Sequence, residues 1–120
     1  MAESLTIKLV ENEEDMEAAI AVRFRVFVDE QSIPPEEELD EDDATAAHAI
    51  ALVHGQVVGT GRLVSREDGD GQVGLMAVDQ PWRQQGIGGQ ILIFLEDEAR
   101  TLGMAANRII DRRIDARNPR

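Results

Sequence analysis

Leu5, Ile7 and Leu9 alternate with polar neighbours, the period of two that marks a half-buried strand. Asn12 follows as a helix N-cap, with Glu13, Glu14 and Asp15 placed where a first helical turn favours acid. Met16, Ile20, Phe24 and Phe27 recur at helical spacing, so they are expected to form the buried stripe, with Arg23 and Arg25 pointing elsewhere. Pro34 and Pro35 stop or restart the helix. Residues 36–43 are almost wholly acidic, which predicts a short second helix and an exposed loop, because so many like charges do not pack together dry.

Residues 48–53 and 56–64 read as strands around the turn pair His54-Gly55. Asp68-Gly69-Asp70-Gly71 is a second hairpin signal before a strand over residues 73–78, so the expectation is an antiparallel meander. Ile87, Ile91, Leu95, Ala99 and Leu102 then trace one helical face, and Gly103 is a C-cap. Asn107, Arg108, Ile109 and Ile110 predict a short fifth strand parallel to the fourth, since a helix lies in the crossover between them. The fold class is α/β: a mixed sheet, antiparallel meander plus parallel pair, with flanking helices, in one domain over residues 1–120.

At 120 residues the chain can bury one core. With one Trp, three Phe and no Tyr, that core is built of aliphatic side chains. The absence of cysteine removes disulfides, thiolate metal sites and a Cys nucleophile, and no metal is expected. The N-terminus lacks a basic region followed by an apolar one, and nothing approaches the ~20 apolar residues of a membrane span. A cytoplasmic location is the default expectation. A net charge of −12 opposes nucleic acid and anionic membrane as partners and suits a cationic small molecule. Against that trend residues 107–120 hold five Arg and two Asp, an atypical basic segment that invites pairing with residues 36–43, within or between chains.

The chemistry is concentrated in Arg83-Gln84-Gln85-Gly86-Ile87-Gly88 and the following Gly89, between the strand ending at Val78 and the helix through Ile91. Glycines there clear side chains from a helix start, where converging amides and the helix dipole favour an anion. Gly69 to Gly74 also spells G-x-G-x-x-G, but it precedes a strand rather than opening a helix, so it is no dinucleotide turn. A Walker turn is excluded for want of its Lys-Ser/Thr pair. For residues 36–43, a solvated loop outweighs metal binding or capture of a cationic amine. His54 falls in a turn; His48, at a strand start, is either a base or a half-buried polar residue.

Arg83 to Gly88 resembles the Q/R-x-x-G-x-G/A motif of the GNAT superfamily of N-acetyltransferases, and Met76-Ala77-Val78 resembles the end of that family's fourth strand. Val26 to Gln31, the acidic run and Gly59-Thr60-Gly61-Arg62-Leu63 resemble one small-GNAT subgroup in the same order, so the resemblance covers roughly residues 5–104. It implies that acetyl-coenzyme A is the co-substrate, its pyrophosphate on Gln84, Gln85, Gly86, Ile87, Gly88 and Gly89 with Arg83 supplying outer charge. It further implies a pantetheine arm along the backbone of Met76, Ala77 and Val78, with Val78 N–H as oxyanion donor. Direct attack by an amine needs a base, for which Glu30, Glu36 and His48 are the candidates. The implied reaction is acetylation of a small, cationic primary amine; the alternative is a shortened, catalytically impaired domain that binds coenzyme A or a partner.

The family continues past the fifth strand with a helix and closing strands, and residues 114–120 are too short and polar to replace them. The expectation is therefore a relative truncated at its C-terminus, completed by a second copy in a two-fold homodimer through the segment from Asn107 onward.

Overall fold

The computed structural model describes residues 4–66 and 69–107. Its centre is a five-stranded sheet in sequential order, β1 (Leu5–Leu9), β2 (Ala47–Val53), β3 (Gln56–Ser65), β4 (Asp70–Val78) and β5 (Ala105–Asn107). The first four strands form the expected antiparallel meander. β5 runs parallel to β4, pairing with Asp70, Gly71 and Gln72. It begins two residues before the predicted strand, and Ile109, Ile110 and the rest of the basic segment lie outside the described residues.

Helices cover both faces. α2 (Ile87–Thr101) lays Ile87, Ile91, Leu95 and Ala99 on Ala49, Ala51, Leu63 and Val73, and glycines let it approach closely. A Cβ at Gly61 would lie 2.8 Å from Ile91 and 3.1 Å from Leu95. The helix ends as Gly103 predicts: at φ +82° its N–H donates to Arg100 O while Met104 N–H donates to Ala99 O, a Schellman pair. On the other face, α1 (Glu13–Arg23) is capped by Asn12, whose side chain accepts from Asp15 N–H at 2.8 Å. It runs on as a wider π-helical turn over Phe24–Glu30, and Val22, Val26 and Phe27 pack on Leu75 and Ala77.

Two sequence expectations are corrected here. The buried stripe of α1 and its π-helical extension is Ala19, Val22, Arg23, Val26 and the expected Phe27, with Arg23 only 1% exposed, whereas Met16 and Ile20 border an open groove and Phe24 is half-buried. Residues 36–43 form no second helix but two short 3₁₀ turns, Pro35–Glu37 and Glu41–Ala44.

β4 contains the irregularity that shapes the site. Thr60 opposes Ala77 and Arg62 opposes Gly74, so one β3 residue faces two on β4, and Leu75 takes a left-handed φ of +50°. Such a bulge shifts the alternation by one. Val73 therefore packs on the α2 side, Leu75 and Ala77 pack on the α1 side, and Val78 returns to the start of α2. A bulky residue at positive φ costs on the order of 1–2 kcal/mol, offset here by complete burial of the Leu75 side chain.

Candidate functional site

Between β4 and α2 the chain makes a short 3₁₀ turn, Gln80–Trp82, then two left-handed steps at Gln84 (φ +67°) and Gly86 (φ +82°). Helical bonding starts with Gln90 N–H to Gly86 O at 3.1 Å, and no side chain caps the N-terminus. The N–H groups of Ile87, Gly88 and Gly89 therefore have no partner within the helix. They border a cleft of about 260 Å³ formed by Val78, Trp82, Arg83, Gln84 and residues 86–89.

The glycines of this turn differ from those of the sheet. A Cβ at Gly88 would meet only Val78 Cγ2, at 3.9 Å, and one at Gly89 would meet nothing within 4 Å. Neither residue needs positive φ. Glycine inside a helix costs up to ~1 kcal/mol relative to alanine. Folding thus gains nothing from either glycine, and the open cradle above uncapped amides fits an anion such as a pyrophosphate.

Val78 faces this cleft from the end of β4. Residues of an antiparallel ladder turn their N–H and C=O to alternate edges. Asp79 N–H donates to Val58 O on β3 at 2.9 Å, so Val78 presents both of its groups to the opposite edge. Its carbonyl there accepts Arg83 Nε at 2.8 Å. Arg83 Nη2 donates to both Glu30 carboxylate oxygens, at 2.8 and 3.0 Å, so this guanidinium, expected to supply outer charge for the pyrophosphate, bridges the end of β4 and the π-helical turn. A second pair of reversed polarity, Arg25 to Asp79 at 2.8 and 2.9 Å, ties the same π-helical turn to the same loop.

Of the base candidates, the structure brings Glu30 to Val78 through Arg83. Glu36 is exposed in the first 3₁₀ turn. His48 pairs with Arg62, which pairs with Gly74, so it lies two strands across and four residues back from Val78, roughly 16 Å at standard sheet spacings. Its Nε2–H donates to Asp43 O at 3.0 Å, and burial lowers its pKa from 6.5, partly opposed by that bond.

The acidic run is solvated only in part: Glu36, Glu37, Asp40 and Glu41 are exposed, but Glu38, Asp42 and Asp43 are not. Glu38 is fully buried and accepts Arg23 Nε at 2.6 Å, while Asp43 accepts both Arg23 and Arg62 at 2.9 Å. Arg62 also reaches Asp40 at 2.7 Å, and Arg66 reaches Asp42 at 3.3 Å. Burial pushes the Asp43 carboxyl up, but bonds from Arg23, the Asp40 amide and Arg62 outweigh it and hold its pKa at about 2. Four of the run's carboxylates, Glu38, Asp40, Asp42 and Asp43, thus have internal counter-ions in Arg23, Arg62 and Arg66, and the basic C-terminal segment expected to pair with the run lies beyond Asn107, outside the described residues. Trp82, Arg23 and Arg62 are the residues that sequence reasoning missed. A charged position between the apolar neighbours Gly61 and Leu63 of a strand, in a chain with surplus acid, was the available signal for Arg62.

The model of the acetyltransferase (GNAT) family matches residues 13–117. The chain belongs to that family. Among proteins similar to this GNAT chain is the uncharacterized N-acetyltransferase YjcF of Bacillus subtilis, 37% identical over 91 residues. That match takes in 76% of this chain and 64% of YjcF, so the chain spans less than two thirds of that relative's length. An acyl-CoA N-acyltransferase from Pseudomonas aeruginosa superposes with a TM-score of 0.72 at 27% identity, over 84% of this chain and 73% of that one. The fold is also that of the N-acetylglutamate synthase from Neisseria gonorrhoeae, complexed with coenzyme A and N-acetyl-glutamate, at a TM-score of 0.63 and 20% identity over 87% of this chain and 24% of that one.

Proposed function

We propose that this chain transfers the acetyl group of acetyl-coenzyme A to a primary amine. The observation that carries the reading is the uncapped start of α2, with Gly88 and Gly89 opening onto a cleft that Val78 at the end of β4 also lines. The amides of residues 84–89 hold the pyrophosphate and the backbone of Met76, Ala77 and Val78 guides the pantetheine arm. Attack of the amine nitrogen forms the C–N bond, breaks the C–S bond and leaves the coenzyme thiolate, with the ammonium proton passing to a base. Val78 N–H is the donor for charge that develops on the acyl oxygen.

Trp82 supplies the test. It is the sole tryptophan and borders the cleft, so coenzyme A is expected to change its emission in a saturable way. An unchanged spectrum at millimolar coenzyme A sinks the proposal; saturable binding with no transfer to any amine supports the impaired module instead.

A cationic acceptor is part of the proposal, supported by the net charge of −12 and by the exposed Glu36, Glu37 and Glu41 rather than by the paired carboxylates. Comparing cationic, neutral and acidic amines at low and high salt checks it: the cationic preference should shrink with salt, and equal rates for all three reject it. A two-fold dimer through the segment from Asn107 onward is the second part, supported by the exposed Ile93 on α2 and Leu102 at its C-cap. Light scattering that gives a monodisperse 13.2 kDa species at micromolar concentration rejects it.

A further inference from the structure

We infer that Glu30 and Arg83 are a positioning pair for acyl transfer, in which Arg83 takes the place of a neighbouring strand at the end of β4 and Glu30 holds it there. The inference rests on the acetyl-transfer reading for its purpose but on geometry for its existence. At the β4 edge, Val78 presents a carbonyl and an N–H to the same side, and a paired strand would consume both. The described part of β5 reaches only Gln72. Arg83 Nε satisfies the carbonyl alone, and a guanidinium has no acceptor to offer the N–H. One donor thus leaves the Val78 N–H facing the cleft while its own residue is fixed in place.

The fixing is two-sided. The peptide joining Val78 to Asp79 is held at its oxygen by Arg83 and at its nitrogen by Val58 O, at 2.8 and 2.9 Å. Arg83 cannot drift, because its Nη2 sits on both Glu30 oxygens, and the pair is mostly shielded, with side-chain exposures of 18% and 23%. Glu30 in turn is placed by the π-helical turn, which Arg25 ties to Asp79. Planarity matters here: a guanidinium reaches the carbonyl and the carboxylate at once, which a lysine ammonium on its flexible stem does not reproduce. The same contacts give Glu30 a role other than that of the base.

Arg83→Lys and Glu30→Gln test the pair. Amide hydrogen exchange at Asp79 should quicken at least fivefold in each variant and no further in the double variant, with the Ile50 amide in the core unchanged as a control for folding. Coenzyme A affinity, read from Trp82 emission, should stay within threefold of the unaltered chain for Arg83→Lys, which keeps the positive charge. With the best amine from the acceptor panel, kcat should fall tenfold or more in both variants at little changed KM for acetyl-coenzyme A, and the Glu30→Gln pH profile should be lowered without losing its acid limb. Unchanged Asp79 exchange overturns the pair. So does a tenfold loss of coenzyme A affinity at unchanged kcat in Arg83→Lys, which makes Arg83 a phosphate ligand, or loss of the acid limb in Glu30→Gln, which makes Glu30 the base. If the unaltered chain shows no coenzyme A response, the acetyl-transfer reading is what fails, and the exchange measurement still decides the pair.

Discussion

Gly88→Asp and Gly89→Asp are each expected to abolish stabilisation by acetyl-coenzyme A while making the ligand-free protein slightly more stable. At ligand 100-fold above its dissociation constant, linkage gives the unaltered chain about 2.7 kcal/mol, on the order of 10 °C in Tm for a domain of this size. An aspartate in the first turn adds bulk and negative charge where the pyrophosphate meets the amides. The same aspartate suits the ligand-free helix, because acid at an N-terminus stabilises the dipole by about 0.3–1 kcal/mol and both sites open onto free space. Binding and stability should therefore move in opposite directions, which separates lost recognition from lost folding. Gly89→Ala sharpens the contrast: a gain of up to ~1 kcal/mol without ligand, since alanine is the better helix former, with a reduced ligand shift. Thermal melts with and without acetyl-coenzyme A decide the matter, and Asp variants that keep the full shift place the coenzyme elsewhere.

What was legible in the sequence is what local rules determine. The Asn12 cap, the left-handed pair His54 (φ +51°) and Gly55 (φ +80°) that makes a type I′ hairpin turn, the α2 stripe from Ile87 to Ala99, though not Leu102, which is exposed past the helix end, and the Gly103 stop each depend on neighbours within a few residues. The glycine turn was legible for the same reason. The buried ion network was not, since its pairs lie 15 to 22 residues apart and an acidic run reads as solvated until its cations are located. The stripe of α1 differs for the same reason: Arg23 reads as lying off the buried face because its partners, Glu38 and Asp43, come from other elements. The bulge at Leu75 carries no residue signal at all, because leucine gives no hint of positive φ, yet it sets which face Val78 meets. Likewise the motif gives no sign of the Arg83–Glu30 pair, whose members lie 53 residues apart.

Arg23→Met is expected to cost about 3–5 kcal/mol, while Arg25→Met, two residues along the same helix, should cost less than about 1 kcal/mol. Removing Arg23 strips the guanidinium from a fully buried Glu38 and from Asp43, and a buried charge deprived of its partner carries most of its desolvation penalty uncompensated. The Arg25 side chain is 48% exposed, so water replaces much of what it loses. Against a typical total of about 5–15 kcal/mol, the first change threatens the fold and the second does not. Urea titration measures both, and equal midpoint shifts reject a buried network. Its pH signature has a definite sign. Asp43, with a folded pKa of about 2 against 3.8 for the ordinary group, contributes stability that is fully present above about pH 4 and is lost as pH falls towards 2. Asp40 acts in the same direction: burial opposes its ionisation, but Arg62 outweighs that and lowers its pKa. His48 adds an earlier step, because burial lowers its pKa and the unfolded chain binds the proton first as pH falls below 6.5. Stability should thus decline gently from about pH 6.5 and steeply below about pH 4. His48→Gln removes the gentle phase and leaves the steep one, and a variant that retains both assigns the first phase to some other group.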